Sequence, residues 1–340
     1  MYRLRVLITG GAGYIGSMLT RFLLNRGYSV TVVDLLLFGD SGVKGLIGEK
    51  GFKLLISDAR SLDIDVVRGH DVVIDLAAIS QPDPAGKMDK VLFYEINAAS
   101  PARLASISMR SGVERYIFAS SCGVYGFRDS IVNEDSEPKP VENYAIMKYL
   151  AEQRIKEIAG KKSVILRIAS VYGYSPKMRF DLVVNAMTLS MYKHNKIMIG
   201  RPGSQARPVI HISDVVEAMH KVIEAPSDII GGEILNVGSN DQNYRIADLA
   251  EEVCRALRRE CRTEYYGDPD TRSYIVDFTK ISRLIGFRAK YNVADGVREV
   301  YRALENKLVS DEPWTTSTIA WWSHLYSQGI IRPIGMSNKL

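Results

Sequence analysis

The stretch Arg5-Val6-Leu7-Ile8-Thr9-Gly10-Gly11-Ala12-Gly13-Tyr14-Ile15-Gly16 decides the fold. Its first five residues form a short apolar run, the pattern of a strand buried on both faces. Glycines follow, and helical periodicity then runs through Ile15, Leu19, Phe22 and Leu23. Strand, glycine loop and helix start together make a phosphate site. Gly10 permits the tight turn, Gly13 lets backbone N–H groups approach a pyrophosphate, and Gly16 lets the helix pack closely on the strand. Tyr14 and Ile15 open the helix, so their amides belong to the same anion-facing turn. The next strand, Ser29 to Val33, ends in Asp34. A carboxylate there accepts both ribose hydroxyls of an adenosine and repels a 2′-phosphate, which favours NAD over NADP.

More strand–helix units follow. Lys53 to Ser57 reads as a strand ending near Asp58 and Ala59, with the Asp58 carboxylate placed to meet an adenine amino group. Asp71 to Leu76 is another strand, and the small residues Ala77 and Ala78 after Leu76 let a dinucleotide lie against its end. Met88 to Ser111 reads as a long helix carrying Asn97, a further candidate for the cofactor site. Arg115 to Ser120 is a fifth strand and Ser163 to Ala169 a sixth. Strands alternating with helices imply an α/β fold with a doubly wound parallel sheet. Ligands of such a sheet bind beyond the carboxyl ends of its strands, where these residues lie.

The fifth strand runs into Ser120-Ser121-Cys122-Gly123-Val124-Tyr125-Gly126, and a polar, Pro-containing loop from Ser130 to Glu142 leads to Tyr144-Ala145-Ile146-Met147-Lys148. Tyr144 and Lys148 share one helix face. An ammonium beside a phenol favours the phenolate and lowers its pKa, making Tyr144 a usable acid or base near neutral pH. A Ser121 hydroxyl can bond a substrate hydroxyl and share its proton with Tyr144.

The chain has 340 residues, 46% of them hydrophobic and 24% charged, which suits a globular enzyme with two lobes. The net charge of +5 is spread along the chain. Its densest basic run, Arg255 to Arg262, closes an apolar-periodic helix, so a solvated helix end explains it better than a nucleic-acid surface. A modest positive bias also helps an anionic substrate approach. Cys122, Cys254 and Cys261 show neither zinc-site spacing nor a disulfide framework, and Cys254 falls on the core side of a helix. No metal site is expected. A reducing cytoplasm fits, and no apolar run reaches membrane-spanning length.

TGGAGYIG, the acid at Asp34, SSCGVYG, the Tyr144/Lys148 pair and the later LRIASVYG resemble an extended short-chain dehydrogenase/reductase of the NAD-dependent nucleotide-sugar epimerase/dehydratase branch, of the UDP-glucose 4-epimerase type. The resemblance covers about residues 3 to 308. It implies a Rossmann-type domain over 1–170 with a return segment near 208–235. It further implies a smaller α/β nucleotide-sugar lobe over 171–207 and 236–310, and it fades over 311–340, where a Trp-containing tail helix is expected. It implies Ser121, Tyr144 and Lys148 as the catalytic set, with Lys148 also holding the nicotinamide ribose.

Dehydratases of this branch carry Asp-Glu where Cys122 and Gly123 stand here, which disfavours dehydration and decarboxylation. Cys122 is then either a polar contact to the sugar or a small buried filler. Asn185, Arg207 and Arg272 match residues that meet the substrate diphosphate. Ser170 replaces the family's Asn at a diphosphate contact. Arg179 serves the same anion or pairs locally with Asp181. His211 reads as structural. The expected partners are a nucleotide-diphosphate sugar and a second copy of the chain, paired through the Met88–Ser111 and Tyr144 helices. The expected reaction is 4-epimerisation through a transient 4-keto sugar, with an NAD-dependent dehydrogenase or reductase of the same substrates, or a non-catalytic dinucleotide-binding protein, as alternatives.

Overall fold

The computed structural model describes residues 4–80, 89–270, 272–312 and 317–333. The first half holds β1 (Arg5–Thr9), β2 (Ser29–Asp34), β3 (Phe52–Ile56), β4 (Val72–Asp75), β5 (Arg115–Ser121), β6 (Phe127–Val132), β7 (Ser163–Ile168) and β8 (Ser170–Tyr172). The second half adds β9 (Ile197–Gly200), β10 (Ala206–His211), β11 (Ile234–Val237), β12 (Asn243–Arg245), β13 (Thr263–Tyr266) and β14 (Ser273–Val276). Seven strands pair in parallel in the order β11-β7-β5-β4-β1-β2-β3. The Rossmann-type α/β sheet inferred from the motif order is therefore present.

Its central strands are apolar because both faces are covered. Val6, Leu7 and Ile8 of β1 are wholly buried, with Val6 and Ile8 on one side and Leu7 on the other. Each such side chain contributes about 1.5–3 kcal/mol on leaving water. The helix Tyr14–Asn25 buries Tyr14, Leu19 and Leu23 and stops at Gly27, whose φ of +84° turns the chain into β2. The helix Ile212–Glu224 packs beside it. Arg115 at the start of β5 satisfies that helix's last carbonyls, donating to Ile223 O and Ala225 O at 2.7 Å each.

The expected long helix is interrupted. Lys90–Tyr94 and Ser100–Arg110 are α-helical, joined by a π turn over Glu95–Ala99 that contains Asn97. Met88 lies outside the described residues. The start of the expected Ser130–Glu142 loop belongs to β6, which pairs with β14. The remaining strands build small sheets, β12-β10-β8 and β13-β9, around a second core of Met187, Met191, Leu249 and Val253. β11 returns to complete the large sheet beside β7.

Cys254 and Cys261 form a disulfide, a pairing that their spacing did not suggest. The helix Ile246–Leu257 ends at Arg258, whose positive φ turns the chain back and brings Cys261 to Cys254. No described helix is long and apolar enough to cross a membrane.

Candidate active site

Sheet order reverses at β1, between β2 and β4, and a deep cleft opens at the carboxyl ends of these strands. The glycine turn forms one wall. A Cβ at Gly10 would stand 2.8 Å from Ala77 N, and one at Gly16 would stand 2.3 Å from Gly10 O, so strand, turn and helix meet this closely only with glycine. The first-turn amides of Tyr14–Asn25 have no acceptor within the helix. Asp34 is held between two loops, its Oδ2 accepting from Ala12 N at 3.1 Å and its Oδ1 from Leu36 N at 2.8 Å. A carboxylate has further lone pairs for two ribose hydroxyls. Burial pushes its pKa up, and those two amides pull it back. Ile15, Asp58, Ala59, Leu76, Ala77 and Ala78 line the same cleft. These groups fit a dinucleotide.

Asn97 does not reach the cleft. It is fully buried, accepts from Ile79 N at 3.0 Å and donates to Phe93 O at 3.1 Å. It shapes the loop after Ala78 instead of touching a ligand. Tyr14 lines the cleft, but its hydroxyl donates to Gly173 O at 2.7 Å, tying the glycine turn to the second lobe.

Ser121, Tyr144 and Lys148 line the same cleft. The Ser121 Oγ accepts from Gly123 N at 3.1 Å, which leaves its proton for a ligand. The Tyr144 hydroxyl has no hydrogen-bond partner among the described residues. Lys148 is buried, and its Nζ donates to Ala119 O at 2.8 Å, leaving two further N–H donors. Burial lowers the Lys148 pKa to about 8, against the opposing pull of Asp75 and Glu152. Asp75 lies under the floor, accepting from Thr9 at 2.6 Å and Tyr116 at 2.7 Å. The expected acidification of Tyr144 by Lys148 is not what this geometry produces. Burial raises the Tyr144 phenol well above its ordinary range, and the nearby cation that opposes this is Arg179.

Two residues expected to touch the sugar or its diphosphate, Cys122 and Asn185, face the interior instead. Cys122 is buried beneath the cleft and donates to Arg167 O, 3.2 Å away, so it is filler and not a sugar contact. Asn185 is also fully buried, with its amide committed to Gly173 N, Tyr14 Oη and Arg179 O at 3.0–3.1 Å. It braces the Tyr174–Leu182 segment and leaves no group for a diphosphate. Arg179 takes the local pairing. It meets Asp181 at 2.9 Å and reaches across the cleft to Ser80 Oγ at 2.7 Å.

Ser170, Arg207 and Arg272 do line the cleft. Arg207 pairs with Asp270 at 2.8 Å, and Arg272 pairs with Asp270 at 2.8 Å and Glu142 at 3.0 Å. Two arginines and two carboxylates thus balance one another, and a diphosphate must compete for the guanidinium forks. His211 is structural, buried between Glu299 at 2.9 Å and Ser213 N at 3.2 Å.

Glu142 escapes a motif reading altogether. A Cβ placed on Gly123 would stand 3.3 Å from Ser121 Oγ and 3.7 Å from Glu142 Oε1, so this carboxylate and Ser121 flank the same glycine. Burial raises its pKa, and Arg272 works against that.

Residues 6–238 match the model of the NAD dependent epimerase/dehydratase family. The chain is 26% identical over 314 residues to a UDP-glucose 4-epimerase of Rhizobium meliloti, covering 85% of this chain and 93% of that protein. It is 29% identical over 325 residues to a UDP-N-acetyl-alpha-D-glucosaminuronate decarboxylase of Bacillus cytotoxicus, covering 89% and 99%. Among solved structures it resembles MoeE5 in complex with UDP-glucuronic acid and NAD, with a TM-score of 0.78 and 26% identity over 89% of this chain and 99% of that one. With a nucleotide-binding turn, an acidic β2 end and a Ser/Tyr/Lys cluster in one cleft, and a family model spanning most of the chain, this protein belongs to the NAD dependent epimerase/dehydratase family.

Proposed function

We propose that this protein is a nucleotide-sugar 4-epimerase, acting on a UDP-hexose of the glucose/galactose type. The observation that carries the reading is the convergence of Ser121, Tyr144 and Lys148 in the cleft that holds the glycine turn and Asp34. NAD, when bound, supplies reversible hydride acceptance. Ser121 donates its free proton to a sugar oxygen and positions the C4 hydroxyl. Tyr144 Oη exchanges the C4 hydroxyl proton, and the Arg179 charge eases formation of its phenolate. Lys148 holds the nicotinamide ribose with its two remaining donors. Arg207 and Arg272 hold the diphosphate away from the reacting carbon, so the 4-keto hexose can present its other face. Orientation of this kind supplies much of the barrier reduction.

Glu142 bears on the sugar. A carboxylate beside Ser121 disfavours a second carboxylate on the substrate, which supports a neutral hexose over a hexuronate. The same group favours a second reading. An acid beside Gly123 is a proton-exchanging group of the sort that an elimination requires, and a dTDP-glucose 4,6-dehydratase of Streptomyces niveus is 25% identical over 340 residues. The ion pair with Arg272 favours a positioning role. Val91, Tyr94, Leu150 and Ile158, all exposed on the Lys90–Arg110 stretch and the Asn143–Ala159 helix, support pairing of two copies through those helices.

The test is incubation of purified protein with UDP-, GDP-, CDP- and dTDP-hexoses, with products followed by NMR and NADH by absorbance. Inversion at C4 without accumulating NADH is expected. Net NADH formation would establish a dehydrogenase, and a dehydrated keto sugar would establish a dehydratase.

A further inference from the structure

We propose that the segment from Thr318 to Arg332 is a strap over the adenosine end of the dinucleotide cleft, and that Trp322 is a ligand of NAD through its indole N–H. The Asp34 loop and the Asp58 loop mark that end of the cleft, because the carboxylate closing β2 is the ribose partner in such sheets. The strap is fastened to both. Trp321 Nε1 donates to Leu37 O, and Arg60 Nη1 donates to Arg332 O at 2.8 Å. A third tie crosses to the substrate lobe, where Thr318 N donates to Asp181 Oδ2 at 2.9 Å, and Asp181 in turn holds Arg179. Tyr326 adds a fourth through Asp89 Oδ2 at 3.2 Å.

Its apolar face packs Trp322, Leu325 and Ile331 against Ile79, Leu92, Phe93 and Ile96, with Phe38 set edge-on to Trp322 at 6.2 Å between centroids. Thr318, Trp322 and Ile331 line the cleft itself.

One atom is out of place in this otherwise well-tied segment. Trp322 is 6% exposed, and its Nε1 has no hydrogen-bond partner among the described residues. A buried donor without an acceptor is costly, and native interiors rarely keep one. Trp322 lines the cleft with part of its ring while its N–H lies just beneath the surface, so a small turn of the indole toward an entering acceptor satisfies the N–H, and a dinucleotide is dense in phosphate and ribose oxygens. Tightly tied at four points, the strap also has to loosen before the cofactor leaves. A cofactor held through many turnovers suits a reaction that regenerates it, but the inference concerns NAD retention and does not depend on which sugar reaction occurs.

The test measures NAD release from the full-length protein, Trp322→Phe, Trp321→Phe, and a chain ending at Glu312. The readout is the dissociation rate on dilution into excess unlabelled NAD, which needs no turnover. Trp322→Phe should release NAD about tenfold faster, the scale of one buried hydrogen bond to a charged acceptor. Trp321→Phe removes one tie of the strap but keeps the Trp322 N–H, so its release should quicken less. The shortened chain should release NAD faster still. Release at the wild-type rate in Trp322→Phe would overturn the proposal, whether or not the shortened chain folds.

Discussion

The Lys148 ammonium lies 5.7 Å from the centroid of the Tyr144 ring and donates one of its protons to Ala119 O, 2.8 Å away. Helical spacing puts the two side chains on one face, but the lysine is aimed at the end of β5. Its first role in this geometry is to present two donors to the cleft. The phenol answers mainly to its own burial and to Arg179.

Tyr144→Phe removes the oxygen proposed to exchange the proton and leaves the cleft walls intact. Turnover of the nucleotide sugar should fall by roughly 10²–10⁴-fold, while NAD content after gel filtration stays at the wild-type level. A variant that keeps full turnover would remove Tyr144 from the mechanism.

Lys148 gives NAD affinity a predictable pH dependence. Its folded pKa is depressed to about 8 by burial, so the ammonium proposed to bond the ribose is present below that pH and lost above it. Bound ligand prefers the protonated form, so affinity should fall as pH rises through about 8, by at most about tenfold per pH unit for one proton. Lys148→Met should bind NAD weakly and flatten the profile. The effect of Lys148 on folding has the opposite sign. Between its folded and unfolded pKa values the unfolded chain binds more protons, so this residue's penalty is relieved as pH rises. Calorimetric titration between pH 6.5 and 9.5 measures the affinity, roughly bracketing the titration.

Glu142→Gln keeps the shape of the group and removes its charge. The preference for UDP-glucose over UDP-glucuronic acid, as a ratio of kcat/KM values, should shrink about tenfold, the effect of roughly 1.4 kcal/mol of relieved repulsion. Competition assays with the two sugars measure it. An unaltered ratio would show that Glu142 does not face the sugar.

Glu152 and Arg167 form an ion pair at 2.7 Å, each 2% exposed, directly behind Ser120 and Lys148. Glu152→Ala strands a buried guanidinium and should lower stability by about 3–5 kcal/mol. Urea denaturation of the NAD-free protein should show an earlier midpoint with little change in slope.

Much of the site could be read before any tertiary contact was known. The glycine turn is a local backbone requirement, and Asp34 follows it at the end of the next strand. Both are short-range consequences of a strand–turn–helix unit. Ser121 at the end of β5 and Tyr144 and Lys148 on one helix face are local in the same sense. Motif matching failed for residues whose role depends on which way they point. Asn97, Asn185 and Cys122 occupy plausible positions along the chain, but each faces the interior, where the two amides brace neighbouring loops and the thiol meets a carbonyl of β7. Arg179, Arg207 and Arg272 are cations in any reading, and Asp181, two residues from Arg179, could be named as its local partner, yet Asp270 and Glu142 became visible as partners of the other two only once the lobes were packed together.

The amino-acid order alone determined the parallel sheet, the phosphate turn, the preference for an unphosphorylated ribose and the placing of Tyr144 and Lys148 on one helix face, because periodicity, glycine geometry and helical spacing act over a few residues. Tertiary structure decided the charge balance around the arginines, the burial that raises Tyr144 and lowers Lys148, the nearness of Glu142 to Ser121, the Cys254–Cys261 bond and the seat of the tail over the Asp34 loop. Each of these depends on a distance between folded segments or on exclusion of water, and no local pattern encodes either one.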